Sequence, residues 1–71
     1  MAIHRQLAMC LRMRALRENS GMTQNQVAEA LSVSQAAYSR LEKGEVEVSL
    51  SKLIALSEFY KVPLSDLING I

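Results

Sequence analysis

Apolar residues recur at a helical period along almost the whole chain, and this pattern predicts the secondary structure. It indicates helices over residues 3–19, 24–31, 35–43 and 50–60, with a short fifth helix that carries Leu67 and Ile68. The nearest approach to a strand is Glu45-Val46-Glu47-Val48, which is too short and is predicted to be a loop. We therefore expect an all-α fold, a compact bundle of five short helices around one core.

Polar residues at the breaks predict where the helices begin and end. Thr23 is a suitable N-cap that can form a capping box with Gln26, and serines are suitable N-caps for the remaining helices, at positions 34, 49 and 65. Gly44 suits a left-handed residue after the third helix. The inward stripes then consist of Met9, Met13, Leu16, Val27, Ala28, Leu31, Tyr38, Leu41, Leu53, Leu56 and Tyr60.

Size and composition exclude several classes of protein. The 71 residues suffice for a single domain, residues 1–71. The chain has one cysteine and one histidine, and it shows no paired carboxylates, nucleophile–base set, phosphate loop or metal-ligand spacing. We therefore expect no enzymatic activity, no metal and no cofactor. No apolar run approaches the ~20 residues that span a bilayer, and no signal peptide is apparent, so no membrane contact and a cytoplasmic location are expected.

Charge is distributed unevenly, although the formal net charge is only +1. Residues 1–43 hold six basic and three acidic side chains, a balance of +3, whereas residues 44–71 hold two basic and four acidic side chains, a balance of −2. An anionic partner should therefore bind the first part of the chain.

Two of the predicted helices are joined by a turn of only three to four residues, within residues 23–43. Such a spacing is typical of a helix-turn-helix, in which the second helix projects far enough to enter a DNA major groove. The alternative is that two short helices simply pack into a small bundle.

The outer side of the third helix favours the first interpretation, because its residues are short and nearly uncharged. Glutamine can pair with adenine, arginine with guanine, alanine with the thymine methyl group and serine with several base edges. A merely solvated helix face would more often carry Glu and Lys pairs. The candidate base-contacting residues are Ser34, Gln35, Ala36, Ser39 and Arg40.

Three segments together resemble the Cro and lambda-repressor-like (XRE-type) helix-turn-helix family. They are MCLRMRALRENSGMTQ, VAEALSVSQAAYSRLEKG and SLSKLIALSEFYKVPLSDLI, and the resemblance extends over about residues 9–68. It implies a five-helix fold, binding of double-stranded DNA at a palindromic operator as a homodimer, and a role in transcriptional control, most simply as a repressor or autoregulator.

The resemblance also implies roles for individual residues. Gln24 matches a glutamine that contacts a DNA phosphate, and we expect Tyr38 and Lys43 to contact phosphates as well. Arg17 and Glu42 match an ion pair that joins the first helix to the end of the third. The dimer interface is expected in the region of the last two helices, at Phe59, Leu64, Ile68 and Ile71.

Some features depart from the family pattern or are not used by it. Ser32 and Lys61 stand where glycine is frequent, so either these residues adopt a positive φ or the turns differ. Glu45 and Glu47 would repel phosphate in a loop that often faces the DNA. These acids motivate the alternative of a protein-interaction module, antitoxin-like or adaptor, that keeps the fold without operator binding. The stripe Ile3, Leu7 and Leu11 lies opposite the core-facing side of the first helix. Three roles are open to it: packing on the C-terminal segment, contact with another chain, or partial exposure to solvent.

Overall fold

The computed structural model describes the backbone of residues 2–69 and the side chains of residues 7–68. Within this part of the chain all regular structure is helical: α1 (Ala2–Asn19), α2 (Gln24–Ala30), α3 (Gln35–Lys43), α4 (Leu50–Tyr60) and α5 (Leu64–Asn69). The predicted all-α, five-helix fold is confirmed. None of the described helices is both long enough and apolar enough to cross a bilayer.

Hydroxyl side chains begin three of the helices, as the sequence predicts. Thr23 Oγ1 accepts a hydrogen bond from the Gln26 backbone N–H at 3.1 Å, and Gln26 Oε1 accepts one from the Thr23 N–H at 2.9 Å, which completes the capping box. Ser34 and Ser49 cap α3 and α4 in the same manner. The predicted cap at Ser65 is wrong, because α5 begins one residue earlier, at Leu64, directly after Pro63.

Four helices end in the same way, on a residue with left-handed backbone conformation. After α2, the Ser32 N–H donates to the Glu29 carbonyl and the Val33 N–H to the Ala28 carbonyl, both at 3.0 Å, which is the Schellman arrangement. Two of the four left-handed residues are glycines, but the other two have a Cβ that crowds this conformation. The residues and their φ values are Gly21 (69°), Ser32 (59°), Gly44 (75°) and Lys61 (57°).

One hydrophobic core joins all five helices. α2 packs on α3, α1 packs on α3 and α5, and α4 packs on α5. Val48, in the loop before α4, is also part of the core, although the sequence pattern placed it only in a loop. The buried members of this core are Met13, Val27, Ala28, Leu31, Tyr38, Leu41, Val48, Leu53, Leu56 and Leu67.

Candidate nucleic-acid interface

α3 presents two contrasting sides. Tyr38 and Leu41 anchor it to the core, with exposed fractions of 0% and 6%. On the opposite side Gln35, Ala36 and Arg40 are exposed and Ser39 is half-buried. The candidate base-contacting side chains therefore lie together on the surface of a helix whose other side is fixed.

Ser34 begins this surface. Its Oγ accepts a hydrogen bond from the Ala37 N–H at 3.0 Å, so the oxygen serves as the helix cap. Because a hydroxyl group is also a donor, its hydrogen remains available to an acceptor on a ligand.

Arg40 and Lys43 supply positive charge at the end of the same surface. Both are exposed, and no ion pair with another described residue engages either of them. Glu42 lies between Lys43 and the buried Leu41 in the sequence, but its carboxylate is turned inward and only 4% exposed. The outer side of α3 is therefore cationic despite the low net charge of the chain.

Arg17 and Glu42 form a bidentate ion pair between α1 and α3. Arg17 Nε lies 2.6 Å from Glu42 Oε2, and Arg17 Nη2 lies 3.2 Å from Glu42 Oε1. The third nitrogen, Nη1, donates to the Met22 carbonyl at 3.0 Å. The two residues that the family resemblance pairs thus lie in contact, and the same guanidinium holds the chain immediately before α2.

Gln24, the first residue of α2, joins this ion pair. Its Nε2 donates to Glu42 Oε1 at 3.3 Å. An amide NH₂ group has two donor hydrogens, so the contact with Glu42 uses one and leaves the other. Gln24 is half-buried, with part of its surface open to solvent.

The electrostatics of Glu42 follow from these contacts. Burial by itself raises the pKa of the carboxyl group, but the hydrogen bonds from Arg17 and Gln24 and the charge of Arg17 outweigh burial and hold the pKa below its ordinary value. The hydrogen bond to Glu42 in turn raises the pKa of Arg17. Glu42 is therefore ionised at neutral pH.

The phosphate contact predicted for Tyr38 is wrong for this structure. The side chain is 0% exposed and its hydroxyl oxygen is enclosed by the core, so a phosphate cannot reach it. Burial, and then the nearby Glu42 carboxylate, raise the pKa of Tyr38, although the hydroxyl makes no direct hydrogen bond of good geometry. Tyr38 therefore anchors α3 to the core rather than contacting a ligand.

The loop between α3 and α4 carries the predicted acidic pair on the surface. Glu45 and Glu47 are exposed, whereas Val48 is 6% exposed and anchors the loop to the core. No ion pair with another described residue offsets either acid. This loop is unsuited to contact with a phosphate backbone.

The residues expected at a dimer interface are only partly exposed on the surface. Phe59 is 37% exposed and packs edge-on against Tyr60, with ring centroids 5.0 Å apart. Leu64 and Ile68 are partly buried against the protein's own core. Ile71 lies outside the described residues.

Other apolar side chains are more exposed than these. Leu7 and Leu11 on α1 are 54% and 60% exposed, while the Ile3 side chain lies outside the described residues. Leu50 and Ile54 on α4, at 61% and 41%, were not singled out from the sequence, although their i, i+4 spacing beside the inward stripe is visible there.

Among the described side chains, no group of three or more His, Cys, Asp or Glu residues is placed to hold a metal ion. The lone thiol, Cys10, is 2% exposed and donates to the Leu41 carbonyl at 3.1 Å. Burial, followed by the charge of Glu42, raises the pKa of Cys10.

Comparison with known proteins gives a consistent result. A family model described as "Helix-turn-helix" matches residues 13–67. The HTH-type transcriptional regulator DdrOP3 of Deinococcus deserti is 32% identical over 65 residues, which cover 92% of this chain and 50% of the relative. The HTH-type transcriptional activator BcrR of Enterococcus faecalis is 34% identical over 59 residues, which cover 83% of this chain and 29% of the relative.

A putative HTH-type transcriptional regulatory protein of Pyrococcus furiosus is 43% identical over 53 residues, covering 75% of this chain and 17% of that protein. The chain thus spans half or less of the length of each of these curated relatives. No solved structure gives a significant match.

Proposed function

Because the chain belongs to the XRE-type helix-turn-helix family, we propose that it is a sequence-specific DNA-binding regulator of transcription. The observation that carries the proposal is the outer side of α3, where Gln35, Ala36 and Arg40 are exposed on a helix fixed by the buried Tyr38 and Leu41. A recognition helix needs both features, since it must reach the bases and hold its position while doing so.

In the proposed complex the first turns of α3 enter the major groove. Gln35 reads adenine through its amide, Arg40 reads guanine O6 and N7, and Ala36 packs against a thymine methyl group. Ser34 and Ser39 are short enough to donate to several base edges without excluding the longer side chains. This set gives sequence preference without requiring a strongly basic protein.

Backbone contacts in this proposal come from Gln24 and Lys43. Lys43 would neutralise a phosphate, and Gln24 would donate the amide hydrogen that Glu42 does not use. Glu45 and Glu47 oppose binding wherever the loop approaches the backbone, so we expect moderate affinity and a small number of ionic contacts.

We further propose that the protein binds a palindromic site as a homodimer. Two copies placed by a two-fold axis would present two recognition helices about 34 Å apart, one turn of DNA. The region of Phe59, Leu64 and Ile68 is the proposed interface, with Phe59 as its exposed centre. Leu64 and Ile68 would contribute the parts of their side chains that the core leaves exposed.

Occupancy of an operator would make the protein a repressor or an autoregulator. One relative is named as a transcriptional activator, so activation by the same bound dimer is a second candidate for the sign of regulation. Measuring transcription from the bound promoter with and without the protein separates the two.

Fluorescence anisotropy with a duplex selected from random sequences tests the DNA-binding proposal. We expect that duplex to bind more tightly than a scrambled one, and both affinities to fall steeply between 50 and 200 mM salt (~10-fold or more). Absence of binding to any duplex at low salt would instead favour the protein-interaction module that Glu45 and Glu47 motivate.

A further inference from the structure

We propose that Glu42 is a positioning residue for DNA binding, acting through its hydrogen bond to Gln24. This inference rests on the proposed function and goes beyond it, because it assigns a role in DNA affinity to a side chain that no duplex can touch. Glu42 is 4% exposed, and its carboxylate lies between α1, α2 and α3.

The Glu42 carboxylate takes part both in the ion pair with Arg17 and in the contact with Gln24. Oε2 accepts the short 2.6 Å bond from Arg17, so it is committed to the ion pair. Oε1 accepts both Arg17 Nη2 at 3.2 Å and Gln24 Nε2 at 3.3 Å. The Gln24 side chain is therefore held by the same atom that completes the ion pair.

Fixing this amide matters because glutamine has several rotatable bonds. A free Gln side chain loses rotamer entropy when it is immobilised. Because of its hydrogen bond to Glu42, the Gln24 side chain loses part of that entropy during folding, before any phosphate is bound. The remaining N–H then meets the phosphate at a lower entropic cost, as in other preorganised sites.

Arg17 makes the arrangement compatible with an anionic ligand. An ionised carboxylate next to a phosphate-binding side chain would otherwise repel the DNA. Here the guanidinium compensates its charge at 2.6 Å, and it also holds the Met22 carbonyl, two residues before Gln24. The start of α2 is thus restrained on both sides by one ion pair.

The test is a double-mutant cycle on DNA affinity with Glu42→Gln, Gln24→Ala and the double variant. Anisotropy is measured on the selected duplex and on a scrambled one, at a temperature where circular dichroism shows each variant to be folded. Glu58→Gln is the matched control, because it makes the same charge change at an exposed residue of α4. In Glu42→Gln only one acceptor oxygen remains, and when it faces Arg17 Nε the NH₂ group faces Gln24 as a second donor. We therefore expect the variant to bind both duplexes about three- to tenfold more weakly, in the range of one hydrogen bond.

Two further results identify a positioning role. Glu42→Gln should have no added effect in the Gln24→Ala background, and the salt dependence should stay unchanged because a neutral amide releases no counterion. Unchanged affinity in Glu42→Gln, or an equal loss with and without Gln24, would overturn the inference while leaving the proposed function intact. Failure of the unmodified protein to bind any duplex would overturn both.

Discussion

Removing the positive partner of Glu42 should destabilise the protein far more than removing an exposed cation. The change is Arg17→Met, which keeps the apolar stem and leaves the carboxylate with only Gln24 as a strong partner. Because Glu42 is 4% exposed and Arg17 14%, the loss should be near the lower end of the range for broken buried pairs, about 3 kcal/mol. That is comparable with the roughly 3–5 kcal/mol that the core of so small a domain supplies.

Thermal unfolding followed by circular dichroism measures this loss. For a chain of this length, about 3 kcal/mol corresponds to a fall in Tm of roughly 12–24 °C. Arg14→Met is the matched control, since the Arg14–Glu18 pair at 3.2 Å lies on the surface, with side chains 62% and 53% exposed. It should cost less than about 0.5 kcal/mol.

The pH dependence adds a second signature. In the unmodified protein the pKa of Glu42 is held below its ordinary value of 4.5. Ionised Glu42 therefore stabilises the folded protein fully above pH 4.5, and this contribution is lost as the pH falls through the pKa of Glu42 in the folded state. In Arg17→Met the effect of burial on Glu42 is no longer offset, so the pKa of Glu42 rises. Protonation of Glu42 in acid then removes the unpaired buried charge. The two stabilities should therefore converge between pH 7 and 4.

Two outcomes would refute this reasoning about the ion pair. One is a loss in Arg17→Met no larger than in Arg14→Met, and the other is a difference that does not change with pH. The variant Arg17→Met/Glu42→Leu provides a further check, because removing both charges should restore stability to within about 1 kcal/mol of the unmodified protein.

Three further predictions concern the backbone, the thiol and the surface. Ser32→Gly and Lys61→Gly should each raise the free energy of unfolding in urea by about 0.5–1 kcal/mol, because relief of the left-handed strain exceeds the added chain entropy; a loss in either variant would contradict the strain. Cys10 should react slowly with a thiol reagent at pH 8 in the folded protein and rapidly in denaturant, since it is buried and its pKa is raised; equal rates would count against that burial. Lys43→Ala should weaken binding of every duplex and reduce the slope of log Kd against log salt by about 1, while leaving base preference unchanged; an unaltered slope would remove Lys43 from the phosphate contacts.

Local rules predicted most of the fold. The helical period and the hydroxyl caps at Thr23, Ser34 and Ser49 were sufficient because both depend on residues a few positions apart. The backbone conformation of Ser32 could not be predicted from local rules. Whether it adopts a positive φ depends on how α2 closes against the core, and only the structure shows the pair of bonds that fixes it.

The candidate site was predictable in part. The outer side of α3 followed from periodicity, which also placed Tyr38 inward, and the structure agrees with that pattern rather than with the phosphate contact expected of Tyr38. The contact between Gln24 and Glu42 was not predicted, because no local pattern links residues 18 positions apart and the resemblance that paired Arg17 with Glu42 assigned Gln24 only to a DNA phosphate. Val48 was missed for the same reason: nothing local distinguishes it from the exposed Val46.

The most direct test of the central claim is a selection of bound sites from random duplexes, performed in parallel with the unmodified protein and with Gln35→Ala. If the outer side of α3 reads bases, the unmodified protein enriches a palindromic sequence. Gln35→Ala then loses preference at one position in each half-site, equivalent to about 1–3 kcal/mol of discrimination. Enrichment of no sequence, or of the same sequence at the same strength by both proteins, would contradict the account.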